Sequence, residues 1–235
     1  MEKSNIDEKI KLLTGSGMWH TQEVEGLPSV HLSDGPHGLR KQEEKERQNN
    51  VSLVSTCYPT ASALACSWDV TAAERLGGAV AKEAWNADVA VLLGPGINMK
   101  RSPLCGRNFE YFSEDPFLAG RLGAAYVSAA QGEDVAVSLK HFAANNQETN
   151  RQTSNSQIDE RALREIYLSA FEYVVKTARP ATVMASYNRL NGYYACENRH
   201  LLTEILREEW GFDGLVVTDW ENCAEHYAEA LAGNN

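Results

Sequence analysis

Short apolar runs that do not alternate with polar residues constrain this chain more than any other feature. They fall at residues 89–93, 135–139, 181–185 and 215–217. A strand with one wet face alternates, whereas a strand covered on both faces does not, so these runs predict parallel strands clothed by helices. Amphipathic segments lie between them. From Leu163 the apolar positions Leu163, Ile166, Tyr167, Ala170, Phe171, Val174 and Val175 trace one helical stripe, with Asp159 placed to cap it. Asp69 opens a second stripe through Val70, Ala73, Val80, Ala81 and Trp85. Pro116 starts a third through Leu118, Leu122 and Val127, and a fourth runs from Leu201 to Trp210 before Gly211. Strand and helix in repeated alternation predict an α/β protein.

Polar chemistry collects where the runs end. Leu139-Lys140-His141, Ser186-Tyr187-Asn188 and Thr218-Asp219-Trp220 each sit on the C-terminal side of a run, and Ser33-Asp34-Gly35-Pro36 follows Val30-His31-Leu32. In a (β/α) barrel the strand C-termini share one mouth, which would gather Asp34, Lys140, His141, Tyr187 and Asp219. A doubly wound sheet also binds ligands at strand C-termini, and periodicity alone leaves both architectures open.

Composition narrows the partners. The chain has 235 residues, 22 Lys and Arg against 32 Asp and Glu, and a net charge of −10. Phosphate backbones and anionic membranes are met by clustered cations, and no basic patch is present, so neither partner is expected. No stretch approaches the roughly 20 apolar residues of a bilayer span, and the opening MEKSNIDEKIKLLTG lacks the apolar core of a secretory signal. A cytoplasmic location follows as the expectation. Cys57, Cys66, Cys105, Cys196 and Cys223 form no short pairs, which predicts reduced thiols; the sequon at Asn50 then has no meaning. The six histidines show no ligand spacing, so neither metal nor cofactor is expected. Gly94-Pro95-Gly96 after a strand hints at a dinucleotide fingerprint, but Met99 stands where the third glycine belongs. The polar stretch 41–50 reads as an exposed loop rather than a linker.

Each candidate has a plain reading beside the chemical one. Asp219 could simply cap a helix; as an ionised carboxylate beside the flat face of Trp220 it suits attack on a sugar's oxocarbenium-like centre. Lys140 and His141 suit paired hydrogen bonds to vicinal hydroxyls, yet neighbours on a strand point to opposite faces, so both reach one ligand only where the strand bends. Arg40, Arg107 and Arg151 could each be surface charges, with Glu110 placed to hold Arg107.

The segments HLSDGPHGLR, LLGPGINMKRSPLCGRNFEYFSEDP, SLKHFAANNQETNR, DERALREIYLSAFE, VMASYNRLNG and GFDGLVVTDW together resemble glycoside hydrolase family 3 of the β-glucosidase type, in the family's order from about residue 6 onward. The resemblance implies a TIM-like (β/α) barrel, a retaining mechanism and a small β-glucoside or oligosaccharide substrate. It carries the nucleophile to Asp219 and the glucose contacts to Asp34, Arg40, Arg107, Lys140, His141, Arg151 and Tyr187. Met184 then lines the pocket, and Trp220 borders the next subsite. Neighbouring cations are expected to keep the Asp219 pKa low.

A retaining enzyme needs a second carboxyl group about 5–5.5 Å from the first. In relatives of this type it is a Glu on a later domain. The sequence stops before the family's last barrel strand and its α/β sandwich, so residues 1–235 are expected to be a partial, incomplete barrel domain. Glu110, Glu148, Glu197 and Glu221 do not match the family's acid. The N-acetylglucosaminidase branch reads close to KHFPGHG where this chain reads KHFAANN, which favours the glucosidase branch over that one; a xylosidase preference stays open. The alternative to a hydrolase completed by a separate domain or chain is a truncated barrel that binds sugar weakly without turnover.

Overall fold

A computed structural model describes residues 6–43, 51–222 and 224–235. Its strands are β1 (Leu32–Ser33), β2 (Val91–Leu92), β3 (Ala136–Phe142), β4 (Asn155–Ser156), β5 (Thr182–Ala185), β6 (Arg189–Leu190), β7 (Tyr193–Tyr194) and β8 (Leu215–Thr218). Its α-helices are α1 (Ile6–Leu12), α2 (Ala61–Ala65), α3 (Val70–Asn86), α4 (Pro116–Gln131), α5 (Glu160–Ala162), α6 (Ser169–Ala178) and α7 (His226–Ala232). Cys223, Asn50 and most of the polar stretch 41–50 lie outside the described residues.

Five strands make one parallel sheet in the order β1-β2-β3-β5-β8. Every strand joins on the same side of its predecessor, so the sheet has no point at which its winding reverses. A doubly wound sheet requires such a reversal. With right-handed crossovers the connecting helices then share one face, and α3 packs on α4 while α4 packs on α6. Strands β4, β6 and β7 form a separate small sheet beside the main one.

The main sheet is curled. Laid flat, four inter-strand steps of about 4.8 Å would hold β1 and β8 roughly 19 Å apart. Yet Trp19 O accepts from the Leu32 N–H at 2.8 Å, and the neighbouring Met18 O accepts from Trp220 Nε1 at 2.6 Å. Adjacent residues thus reach both edges, as a half-barrel requires. On the outer edge of β8, Asn235 N–H donates to Val216 O and Asn235 Oδ1 accepts from Val216 N–H, both at 3.0 Å.

The helix starts expected at Asp69 and Asp159 are capped as read, Asp69 Oδ1 accepting from Thr71 N and Asp159 Oδ1 from Ala162 N; ahead of Pro116 the structure adds a cap, Asp115 Oδ1 accepting from Phe117 N. Three expectations need correction. The stripe from Leu163 is not one α-helix, because a π-helical turn spans Leu163–Tyr167 between α5 and α6. The extra residue per turn shifts the phase, so Leu168 enters the core while Ile166 and Tyr167 are only half-buried. The fourth helix, His200–Glu209, is also π-wound, with Leu201, Leu202, Ile205 and Leu206 buried. Trp85 lies off the packed face at 60% exposure. Cys57, Cys66, Cys105 and Cys196 are free thiols. No helix among the described residues is long and apolar enough to cross a membrane.

Helices α3 and α4 approach closely because Gly77 presents no side chain; a methyl group there would overlap the Tyr126 carbonyl. Gly77→Ala gains about 1 kcal/mol of helix propensity, but a Cβ well inside van der Waals distance of the Tyr126 carbonyl oxygen falls in the upper part of the overpacking range, about 2–3 kcal/mol. The backbone cannot swing aside as a side chain does, so the cost wins. Urea denaturation should place the variant about 1–2 kcal/mol below the parent; equal or greater stability would show that the two helices are not pressed together.

Candidate functional site

The curl brings the strand C-termini onto one cavity of about 390 Å³. Asp34 and Arg40 enter from the turn after β1, Lys140 and His141 from β3, and Met184 and Tyr187 from the end of β5. Asp219 and Trp220 follow β8, while Arg107 and Arg151 arrive on loops. All ten residues singled out in the sequence line this space, joined by Met18, Trp19 and Glu221.

Lys140 and His141 belong to β3 itself instead of following it. Lys140 pairs with Met184 and Phe142 with Ala185, so His141 is an extra residue at a register shift. That irregularity is the bend needed for consecutive side chains to reach one ligand. Lys140–His141 and Phe142–Ala143 are cis peptides. Asn98 grips the His141 backbone from both sides, its Oδ1 accepting from the N–H at 2.7 Å and its Nδ2 donating to the carbonyl at 2.8 Å.

Charge is arranged in two frames. In the first, Glu110 accepts from Arg107 Nε at 2.7 Å and from Lys140 Nζ at 2.9 Å. Lys140 also lies 3.5 Å from Asp34, which faces Arg40 at 3.9 Å. Burial alone would push the Glu110 carboxyl up; the Lys140 and Arg107 cations override it and hold the group well below the carboxylate range. Burial likewise opposes charge on Lys140, and Glu110 with Asp34 keep it protonated. In the second frame Glu148 accepts from Arg151 Nη1 and Asn145 Nδ2, each at 3.0 Å, and stands 3.9 Å from Arg107. Arg151 in turn lies 4.5 Å over the Tyr187 ring.

Asp219 closes the arrangement. Its side chain is 12% exposed, with Oδ2 at 3.7 Å from His141 Nε2. Oδ1 accepts from the Trp220 N–H at 2.9 Å, and the Tyr187 hydroxyl favours the charged form of the carboxylate. The expectation of a low pKa does not hold. Burial raises the Asp219 pKa, and Lys140, Arg107, the Trp220 N–H and Tyr187 only partly offset it. Both cations already serve Glu110, and that pairing weakens their pull. His141 sits well below the usual histidine range because it is buried and faces Arg107 and Lys140, so its ring is neutral at pH 7.

Several groups escaped the sequence reading. Trp19 stacks against Trp220 with centroids 5.3 Å apart and rings tilted by 40°, so two indoles wall the mouth. Tyr111 and Asn145 lie beneath His141. Their one sequence signal is Gly94-Pro95-Gly96. A Cβ at Gly96 would come within 2.9 Å of the Tyr111 ring, and one at Gly94 within 2.5 Å of Pro36, so these glycines admit close neighbours and cradle no phosphate.

Residues 36–233 match the glycosyl hydrolase family 3 N terminal domain. The chain is 53% identical over 224 residues to thermostable beta-glucosidase B of Acetivibrio thermocellus, covering 94% of this chain and 30% of that protein. It is 49% identical over 235 residues to an exo-alpha-(1->6)-L-arabinopyranosidase of Bifidobacterium longum, covering 98% and 31%. Among solved structures, the GH3 beta-glucosidase of Bifidobacterium adolescentis superposes with a TM-score of 0.93 at 48% identity, over 99% of this chain and 33% of that one. Beta-glucosidase 3B of Thermotoga neapolitana, solved with glucose, gives 0.93 at 42%, over 99% and 35%. The chain thus spans about a third of the length of the relatives it matches. With most of its residues matched to that domain, the chain belongs to glycosyl hydrolase family 3.

Proposed function

We propose that this domain is part of a (β/α) TIM-like barrel acting as a retaining β-glucosidase on short β-linked glucosides. Its partner is a further domain or chain that supplies the general acid. The observation that carries the reading is Asp219, a nearly buried carboxylate at the end of β8, 3.7 Å from His141 and flanked by a wall of two tryptophans.

The terminal glucose enters with its ring against Trp220. Asp34 accepts from hydroxyls on the side remote from Asp219, while Lys140 and Arg107 donate to others. Arg40 and Arg151 complete the rim, and Met184 gives the ring an apolar contact. Tyr187 and the Trp220 N–H hold the Asp219 carboxylate so that one oxygen faces the anomeric carbon. An Asp219 oxygen lone pair forms a bond to that carbon as the aglycone oxygen leaves and takes a proton from the acid. Water then cleaves the glycosyl ester. Trp19 and Trp220, stacked on each other, wall the side on which the departing group leaves.

A different sugar preference is the second reading, favoured by the 49% identity to an exo-alpha-(1->6)-L-arabinopyranosidase. A pentopyranoside lacks the exocyclic hydroxymethyl group. Asp34 and Arg40, with side chains 33% and 54% exposed, form the open flank where such a difference is read.

An activated 2-fluoroglucoside needs little acid help and tests the nucleophile directly. Intact mass should show one glycosyl adduct that maps to Asp219 and is absent in Asp219→Asn; no adduct, or one elsewhere, overturns the assignment. Offering the matching aryl α-L-arabinopyranoside in parallel ranks the two sugars. Because burial raises the Asp219 pKa, labelling should fail on the acid side at a pH above the ordinary 3.8.

Glu110 generates a stability prediction. Removing one partner of a buried ion pair costs about 3–5 kcal/mol, so Glu110→Gln should lose about 3 kcal/mol at pH 7 and bind glucose more weakly. The folded pKa is depressed, so the Glu110 contribution is present above the unfolded value of 4.5 and fades as pH falls below it. The gap between urea melts of parent and variant should therefore narrow from pH 4.5 to about pH 3 without closing, since the folded pKa lies well below that range; a gap that stays constant with pH would mean that Glu110 acts by packing rather than charge.

A further inference from the structure

Beneath the cavity runs a chain of hydrogen bonds whose two ends each have one possible role. At one end the Glu148 carboxylate can only accept, so the Asn145 group 3.0 Å away must be its Nδ2 amide nitrogen. That nitrogen has a second hydrogen, which it gives to the Tyr111 hydroxyl oxygen at 3.0 Å. At the other end Arg107 Nη2 can only donate, and it lies 2.9 Å from His141 Nε2. Nε2 must therefore present a lone pair. A protonated ring is excluded, since two N–H groups would then face each other. One hydrogen remains on the neutral imidazole, at Nδ1, and it points at the Tyr111 oxygen 2.9 Å away. His141 and Tyr111 are both fully buried, and a ring turned over would give up the contacts with Arg107 and Tyr111 together.

We propose that Tyr111 is a positioning residue which, opposite Arg107, fixes His141 as the tautomer protonated on Nδ1, so that Nε2 meets the ligand as a hydrogen-bond acceptor. Deepening the glycoside reading, this rests on it only for the ligand's identity. A sugar hydroxyl that reaches Nε2 displaces the Arg107 contact and donates its own proton. The one ring proton of His141 faces Tyr111 and none lies on the ligand side, so His141 does not stand in for the general acid. The cavity then offers Lys140 and Arg107 as donors and Asp34 and His141 as acceptors, a set that matches hydroxyls able to do both.

Histidine-selective 15N labelling of the whole chain tests this without any substrate. His141→Gln, used only for assignment, identifies the signals. In the parent, Nδ1 should carry the proton and Nε2 should be unprotonated between pH 8 and 5, and the Nδ1 proton should show nuclear Overhauser contacts to the Tyr111 ring. A proton on Nε2, or no contact with Tyr111, overturns the proposal in the parent protein, whatever happens to variants. Tyr111→Phe removes the acceptor and should shift His141 toward a mixture of tautomers, with glucose affinity about fivefold weaker by titration. An unchanged tautomer in a folded Tyr111→Phe protein would overturn the role of Tyr111. Failure of the 2-fluoroglucoside to label Asp219 would sink the hydrolase reading and leave these spectra untouched.

Discussion

Burial of Lys140 is the constraint on which the site depends. Its side chain is 4% exposed at the bend of β3, where an unpaired ammonium would be intolerable. Glu110 and Asp34 make it possible, at 2.9 and 3.5 Å, and each is thereby tied to a different part of the chain. Asp34 belongs to the turn after β1, and Glu110 to the loop that also carries Arg107. One buried cation thus draws a loop and a strand terminus together over a third element. The remaining charges follow from it: Arg107 shares Glu110 and needs Glu148 on its far side, and Glu148 then holds Arg151. His141, buried among these groups, faces Arg107 and Lys140, and burial together with those two cations keeps its ring neutral.

Much of this was legible because strand termini are local features. A nonalternating run followed by Lys-His, Tyr-Asn or Asp-Trp announces both the strand and what its end presents, and the caps at Asp69, Asp115 and Asp159 are equally local. What stayed hidden depends on partners distant in sequence. Tyr111 lies 30 residues before His141 and 34 before Asn145, and nothing in the spacing says that its hydroxyl meets both. The π-helical turn at Leu163–Tyr167 obeys tertiary packing, since it lets Leu168 reach the core, and a period of 3.6 cannot foresee it. Trp85 satisfied the stripe but faces outward, because the small residues Ala73, Gly77, Ala81 and Ala84 already fill the tight contact of α3. The Asp219 pKa went the other way because a sequence lists nearby cations without showing that Glu110 has already claimed them.

The order of the sheet links architecture to chemistry. A singly wound sheet puts every helix outside and every strand terminus on a common rim, so residues from turns far apart in the chain meet without a special loop to carry them. Curvature does the rest. Asp34 and Asp219 follow the two outermost strands, yet Lys140 and His141, adjacent on the third, contact one each. A flat sheet would leave those carboxylates on opposite flanks of a broad shelf. The segment at Met18 and Trp19 braces the curl from the open side, bonded to Leu32 at one edge and to Trp220 at the other.

That brace also shapes the electrostatics of Asp219. Trp19 and Trp220 close the solvent side of the carboxylate with apolar rings, and burial is the largest influence on its pKa, ahead of either cation. The same wall therefore withholds water from the carboxylate oxygens. Full burial without donors would leave a neutral acid, and full exposure would leave a fully hydrated ion. The Trp220 N–H places the group between these limits: it donates to the carboxylate, Tyr187 favours the charged form, and the indoles keep it dry. Because Trp220 supplies both the ring and the backbone donor, and its indole is anchored to Met18, the position of the N-terminal segment governs how poised the carboxylate is.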